Sequence, residues 1–157
     1  MAVSRGDRQV GGGSRQRWLV LAMVLAALGV RLLFLNRCDP WCDEILFINS
    51  SAPQQSPVAI LVSHWRNFAV IGHLPFPAMV QNLWLRLVAP LAEDIRHAAG
   101  LQRLPAVMWG TGTVLLVFLL GRALWGGRTG LLAAVMCSFF YYPFHYSREA
   151  YVYAPLM

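Results

Sequence analysis

The sequence predicts an all-α integral membrane protein, and three observations lead to that fold class. Of its 157 residues, 57% are hydrophobic and 13% are charged, and the mean hydropathy is +0.51. A soluble domain is typically about 45–50% apolar and about a quarter charged. The apolar residues also collect in long runs that lack charge, whereas a soluble core would spread them along the chain.

Charge and cysteine usage exclude two other classes of protein. The formal net charge is +6, and all thirteen basic residues are arginines. These arginines are scattered among apolar segments and form no basic stripe interleaved with aromatic residues, which excludes nucleic-acid binding as the main role. The three cysteines lack the spacing of zinc ligands, so the sequence also argues against a zinc module.

The first apolar run predicts an uncleaved transmembrane helix at about 18–35. It follows a polar, glycine-rich tail, 1–16, which we expect to be disordered, and its arginines place it in the cytoplasm. A signal peptide also begins with a basic head, but this run is long enough for a ~30 Å hydrocarbon core and no small-residue cleavage site follows it. Arg31 lies near the far end, where its side chain is expected to snorkel to the interface.

Two later runs, almost free of charge, predict spans at about 104–124 and 130–147. The glycine-containing segment between them, 125–129, is too short for anything but a tight hairpin between antiparallel helices. This arrangement leaves a large extracytoplasmic loop, 36–103, after the first span.

Two helices are predicted inside that loop. Ser56 as N-cap and Pro57 at the first helical position favour a helix over 58–71. The second segment, 74–91, is apolar but bracketed by prolines, and it either crosses the membrane or lies in the interface. Gln81, Asn82 and Arg86 share one of its faces, which favours an interfacial amphipathic helix. If it crossed, Asp43 and Glu149 would end on opposite sides of the membrane.

Three segments could carry chemistry, and each also has a plain structural interpretation. Asp43 and Glu44 open a helix-like stretch just outside the first span, where a carboxylate can act as a base; the alternative is a solvated acidic loop. Tyr146, Arg148 and Glu149 close the third span, where ionisable groups tend to be functional; the alternative is an interfacial aromatic belt. His73 lies in a proline-rich turn.

These segments together resemble the GT-C glycosyltransferases that use polyprenyl-phosphate sugars. Aromatic-x-Asp-Glu at 41–44 resembles their first-loop acidic motif, and His-Leu-Pro-Phe-Pro at 73–77 resembles the His-Pro-Pro segment of the protein O-mannosyltransferase-like and aminoarabinose-transferase-like branch. Further similar segments, in the same order, are the interfacial helix at 82–87, the entry to the second span at 101–106, the cytoplasmic hairpin at 121–134 and the Ser-x-Glu-Ala motif at 147–150.

The resemblance implies a multi-pass enzyme of the inner (plasma) membrane, with its active site extracytoplasmic and segment 74–91 not spanning. Its partners would be the bilayer, a polyprenyl-phosphate sugar donor and a glycan, lipid or protein acceptor. Asp43 would be the base of an inverting transfer, Glu44 a second catalytic carboxylate, and His73, Tyr146, Arg148 and Glu149 substrate-binding residues. No cofactor is implied for certain, and a divalent metal stays possible because carboxylates and histidine can bind one.

Two departures from the family pattern and two rival functions accompany this hypothesis. Phe76 is inserted between the prolines, and Arg148 stands where glutamine is frequent. Members also have many further spans, so residues 17–157 are expected to be a partial GT-C domain, an N-terminal fragment that is inactive alone. A small non-catalytic membrane protein or assembly subunit is the main alternative. A transporter is disfavoured, because polar residues at mid-span are almost lacking.

Cys38 and Cys42 form a disulfide in one interpretation, if they face an oxidising compartment. In the other they are two free thiols, because such a short loop gains little from a bridge. Cys137, inside the third span, is expected to stay free.

Overall fold

The computed structural model describes residues 12–33, 35, 39–71, 74–91 and 98–151, and all regular structure within these ranges is helical. The helices are α1 (Gly12–Leu33), α2 (Cys42–Ser50), α3 (Pro57–Arg66), α4 (Phe68–Ile71), α5 (Phe76–Val88), α6 (Ala99–Trp125), α7 (Gly127–Phe139) and α8 (Tyr141–Tyr146), with a 3₁₀ turn at Ala89–Leu91.

Among the described residues, two helices are long and apolar enough to cross a membrane, and they correspond to the first two predicted spans. These are the Gln16–Leu33 part of α1 and the whole of α6, Ala99–Trp125. Helix α1 begins at Gly12, so residues 12–16 of the predicted disordered tail are helical, while residues 1–11 lie outside the described residues. The architecture is consistent with an all-α membrane protein.

The third predicted span, 130–147, is not one continuous helix. Helix α7 has 13 residues and ends at Phe139, Phe140 is extended (φ −63°, ψ 142°), and α8 follows with six residues. In an unbroken helix the ring of Pro143 would collide with the carbonyl group four residues earlier, at Phe139. The break falls at that point. Pro143 instead lies in the first turn of α8, where a backbone N–H would have no acceptor within the helix, so the missing N–H of proline costs no helical hydrogen bond.

Helix α1 runs antiparallel to α6, and α7 packs along α6 after the hairpin. Two glycines allow the close approach of α6 and α7: a Cβ atom on Gly121 would lie 2.8 Å from the Cα atom of Gly130, and one on Gly130 would lie 2.6 Å from the carbonyl oxygen of Phe118. Small residues of this kind let helix backbones meet in membranes.

We therefore expect Gly130→Ala to lower the free energy of unfolding by about 1–3 kcal/mol, because the added methyl group meets backbone rather than a movable side chain. Gly112→Ala is the matched control on α6. A Cβ atom there meets nothing within 4 Å, so alanine should stabilise the helix by about 0.5–1 kcal/mol. Unfolding midpoints in mixed detergent micelles measure both, and equal effects would contradict this account of the interface.

The predicted polar stripe of α5 is divided in the structure, since Gln81 and Asn82 point into the protein whereas Arg86 is exposed. Gln81 and Asn82 are buried, whereas Leu83 and Leu87 are exposed. The Gln81 amide donates to the carbonyl of Gln102 (2.8 Å), and the Asn82 amide donates to carbonyls in the turn between α2 and α3, at 2.7 Å for Ala52. Buried carbonyl groups, rather than water, are therefore the hydrogen-bond partners of these two side-chain amides.

Helix α3 begins as predicted, since the Ser56 hydroxyl accepts a hydrogen bond from the Ala59 N–H (3.1 Å) and Pro57 is the first helical residue. The predicted helix over 58–71 is interrupted at Asn67. Both the backbone N–H (3.0 Å) and the side-chain amide (2.9 Å) of Asn67 donate to the carbonyl of Ser63, so Asn67 caps the C-terminal end of α3.

Arg31 does not snorkel as predicted; its side chain is fully buried between helices. Its Nε donates to the Ser147 hydroxyl (2.7 Å) and its Nη1 donates to the carbonyl of Ala27 (3.0 Å). Gly110 makes this contact possible, because a Cβ atom there would collide with the side chain of Ser147 and lie 3.3 Å from the Arg31 Nε. The bond ties the end of α1 to the residue after α8.

Candidate functional site

Helix α2 places the predicted acidic pair in its first turn, with the two carboxylates in different surroundings. Asp43 is half-buried, and no ion pair joins it to another described residue. Glu44 points inward and is fully buried. Successive helical residues point about 100° apart, which is why neighbours in the sequence differ so strongly here.

Glu44 is held by a two-pronged ion pair with Arg103 near the start of α6. The Nε and Nη2 atoms of Arg103 donate to the two carboxylate oxygens of Glu44, each at 2.8 Å, and Nη1 donates to the carbonyl of Leu35 (2.7 Å). The planar guanidinium suits this fork, which is the strongest common form of side-chain ion pair. Arg103 thus joins α6 to α2 and to Leu35, two residues beyond the end of α1.

The same carboxylate also binds the segment after α8. Glu44 Oε1 accepts the backbone N–H of Ala150 at 2.7 Å. Tyr151 then packs on Trp41, the residue before α2, and on Phe47 within α2, with ring centroids 6.2 Å and 5.5 Å apart respectively. The Glu44–Ala150 bond thus joins the two motifs, and Asp43 and Glu149, the residues before its two partners, lie at the same end of the helices.

Glu149 pairs with His145 one helical turn earlier. The distance from His145 Nε2 to Glu149 Oε1 is 3.0 Å, and the imidazole is 46% exposed whereas the carboxylate is 13% exposed. Burial raises the pKa of the Glu149 carboxyl above its usual value; His145 opposes the shift, the Glu44 carboxylate adds to it and Arg103 opposes it. Glu149 is therefore easier to protonate than an exposed glutamate, and His145 is the member of the pair that meets solvent.

The two other predicted residues at this end lie in an aromatic cluster. Tyr146 is half-buried and stacks on Tyr142, with centroids 6.1 Å apart and planes at 19°. The Arg148 guanidinium lies 5.1 Å from the centroid of the Phe144 ring, and Arg31 lies 5.9 Å from the same ring. These are cation–π distances, and they hold Arg148 beside the buried end of α1.

Some of the sequence predictions lie outside the described residues. These include His73 and Cys38, so neither the predicted role of His73 nor the geometry of a Cys38–Cys42 bridge is placed. The thiol of Cys42 is free and exposed, and that of Cys137 is also free. In the parts of the chain that the structure describes, no three His, Cys, Asp or Glu side chains stand together as metal ligands would.

Two residues that pair with predicted site residues were not themselves predicted: Arg103, which binds Glu44, and His145, which binds Glu149. Arg103 was visible as a charge directly before an apolar span, and a charge at that depth normally has a partner. His145 was visible because it is four residues before Glu149, the spacing that places side chains together on a helix. Neither signal identifies the partner's atoms, which only the fold brings into contact.

The site described here is formed by α2, the start of α6 and the segment after α8. No protein-family model, curated protein or solved structure matches this chain. Its function therefore has to be argued from the geometry of the site and from the sequence motifs.

Proposed function

We propose that this chain belongs to a glycosyltransferase that moves a sugar from a polyprenyl-phosphate donor to an extracytoplasmic acceptor. One observation supports it above the others: the Glu44–Ala150 hydrogen bond of 2.7 Å brings Asp43 and Glu149, from two separate motifs, to the same end of the helices. Motifs that merely persisted in an unrelated fold would have no reason to converge.

The proposed topology puts this end outside and the hairpin between α6 and α7 inside the cell, in the plasma membrane, with α1, α6 and the shorter α7 as the crossings and α8 at the outer interface. Arginines occur at both ends, with Arg122 and Arg128 at the hairpin and Arg103 and Arg148 at the opposite end, so their count does not set the orientation; we take the orientation from the family resemblance. Helix α5 rises only about 20 Å over its 13 residues, and we place it in the outer interface, as the resemblance implies.

Cysteine labelling tests this topology. In a cysteine-free background, Gln54→Cys is expected to react with a membrane-impermeant maleimide in intact cells, and Arg128→Cys only after the membrane is permeabilised. Position 128 is preferable to its neighbour Gly127, where an added side chain would collide with Gln16. Both positions are exposed. Equal labelling from outside at both positions would overturn the arrangement.

In the proposed reaction, Asp43 takes the proton of an acceptor hydroxyl as its oxygen attacks the anomeric carbon. The bond from that carbon to the donor phosphate breaks, polyprenyl phosphate leaves, and the configuration inverts. Arg148 would stabilise the charge on the leaving phosphate. Glu149 with His145, and Tyr146 and His73, would position sugar and acceptor.

Glu44 takes a different role in this proposal from the catalytic one that the resemblance implies. Both of its oxygens already bind Arg103, and one also binds the Ala150 N–H. A carboxylate held in this way cannot accept a substrate proton without breaking a buried ion pair. We therefore assign Glu44 to positioning and leave Asp43 as the base.

The direct experiment is transfer of a radiolabelled sugar from polyprenyl phosphate by the complete gene product in reconstituted membranes. Acceptors of the three classes, glycan, lipid and protein, should be supplied in parallel, with a heat-inactivated sample as control. Labelled product that requires the polyprenyl donor supports the proposal. Absence of transfer from every polyprenyl-linked sugar tested, by a folded and correctly inserted protein, would contradict it.

A non-catalytic membrane subunit is the second candidate. The observation that favours it is that Glu44 and Ser147, from two of the motifs, make buried structural bonds, to Arg103 and Arg31 respectively. A subunit of this kind would keep these residues and tolerate loss of Asp43. The two candidates therefore differ in their response to substitution of Asp43, which is considered in the Discussion.

A further inference from the structure

An apolar groove lies between α1 and α6 at the hairpin end, away from the site described above. Its volume is about 360 Å³. The walls are aliphatic and aromatic, from Val20, Leu21 and Val24 of α1 and Leu115, Phe118 and Leu119 of α6. Both helices are candidate membrane spans, so this groove opens toward the acyl chains of the surrounding bilayer.

The mouth of the groove is basic. Arg17 and Arg122 line it together with the Gln16 amide, and both arginines are exposed. No acidic residue occurs in 12–33 or 99–140, the two stretches that form α1, α6 and α7. Within the described residues of α1, α6 and α7, the two guanidinium groups thus have no carboxylate beside them, and they stand at the end of an apolar groove. An anionic amphiphile complements this arrangement.

We propose that this groove binds a membrane phospholipid with an anionic headgroup. The headgroup phosphate accepts hydrogen bonds from Arg17 and Arg122, and one acyl chain runs along the aliphatic walls. Planar guanidinium groups suit a phosphate, because each can give it two parallel hydrogen bonds. Basic pockets between spanning helices on the cytoplasmic side are a recognised form of lipid site.

The shape of the site favours a lipid over a free anion. Free phosphate would use only the two exposed arginines and leave the 360 Å³ apolar groove empty. A phospholipid fills both parts at once. The preference for an anionic headgroup comes from the unbalanced charge, since a choline headgroup would bring its own cation against the two arginines.

The experiment measures lipid association with the chain in nanodiscs by native mass spectrometry and spin-label exchange. Phosphatidylglycerol and phosphatidylcholine with identical acyl chains are the two lipid probes, and inorganic phosphate is the third arm. We expect Arg17→Gln/Arg122→Gln to lower the preference for phosphatidylglycerol about tenfold or more, since each arginine near a membrane surface contributes roughly a fivefold factor. The unfolding midpoint should not change, because both side chains are exposed.

The matched control is Arg66→Gln/Arg128→Gln, which removes the same charge from two exposed arginines that do not line the groove. This variant should keep the preference. An equal loss in both variants would mean a general effect of net charge and would overturn the proposal. So would an unchanged preference in Arg17→Gln/Arg122→Gln, or displacement of the bound lipid by inorganic phosphate, which would show a site for free anions.

Discussion

Replacing Glu44 with glutamine is expected to lower the free energy of unfolding by about 3–5 kcal/mol. The substitution keeps the shape of the side chain but removes the negative charge that the Arg103 guanidinium binds. Arg103 is buried, with only 4% of the residue exposed. It also weakens the acceptor of the Ala150 N–H. Detergent or urea unfolding in micelles, followed by tryptophan fluorescence, gives the measurement.

The adjacent carboxylate is the control for this prediction. Asp43→Asn removes the same charge one residue earlier, from a half-buried group that pairs with no described residue, so its effect on stability should stay within about 0.5 kcal/mol. A double substitution, Glu44→Gln/Arg103→Met, should recover part of the loss because no unpaired buried charge remains. If Glu44→Gln and Asp43→Asn are equally mild, the buried ion pair does not stabilise the fold.

Asp43→Asn is instead expected to slow sugar transfer by the complete gene product about 10²–10⁴-fold, the usual contribution of a general base. Donor binding should survive, because the amide keeps the shape and size of the side chain. Glu149→Gln should change substrate affinity more than the chemical step. Turnover and donor affinity, measured separately in reconstituted membranes, distinguish the two effects.

Asp39→Asn is the matched control, since Asp39 lies in the same loop and is exposed. It should leave turnover unchanged. If the Asp43→Asn variant transfers sugar at the normal rate, Asp43 is not the base. The predicted loss of stability in Glu44→Gln does not depend on that result. The non-catalytic subunit predicts no transfer by any of these proteins, and normal assembly in all but the Glu44 variant.

Features governed by local chemistry were predictable from the sequence. The uncharged runs marked α1 and α6, and Ser56 followed by Pro57 marked the start of α3, because capping depends only on residues within one turn. That segment 74–91 does not cross the membrane stays a prediction, which came from its polar stripe and from the family resemblance.

The predictions that failed depended on contacts between distant segments. Arg31 was expected at the interface from its position near the end of the first span. Its partner Ser147 comes 116 residues later, and nothing in the local sequence indicates that contact. The buried partners of Gln81 and Asn82 were also not visible in the sequence, since a polar stripe looks the same whether it meets water or buried carbonyl groups. Pro143 is the exception: its effect is local, and the break at Phe140 was available from the sequence.

That break has a consequence for the surrounding membrane. The 13 residues of α7 extend about 20 Å, whereas the 27 residues of α6 beside it extend about 40 Å. Exposed Phe140, Tyr141 and Tyr142 follow α7 directly, and such rings settle at the headgroup level. Neighbouring helices of such different length create a hydrophobic mismatch, which a bilayer relieves by thinning on the α7 side while α6 tilts. In the proposed topology the Glu149 end would lie in a locally thinned membrane, which would leave less hydrocarbon between a water-soluble acceptor and a lipid-borne donor.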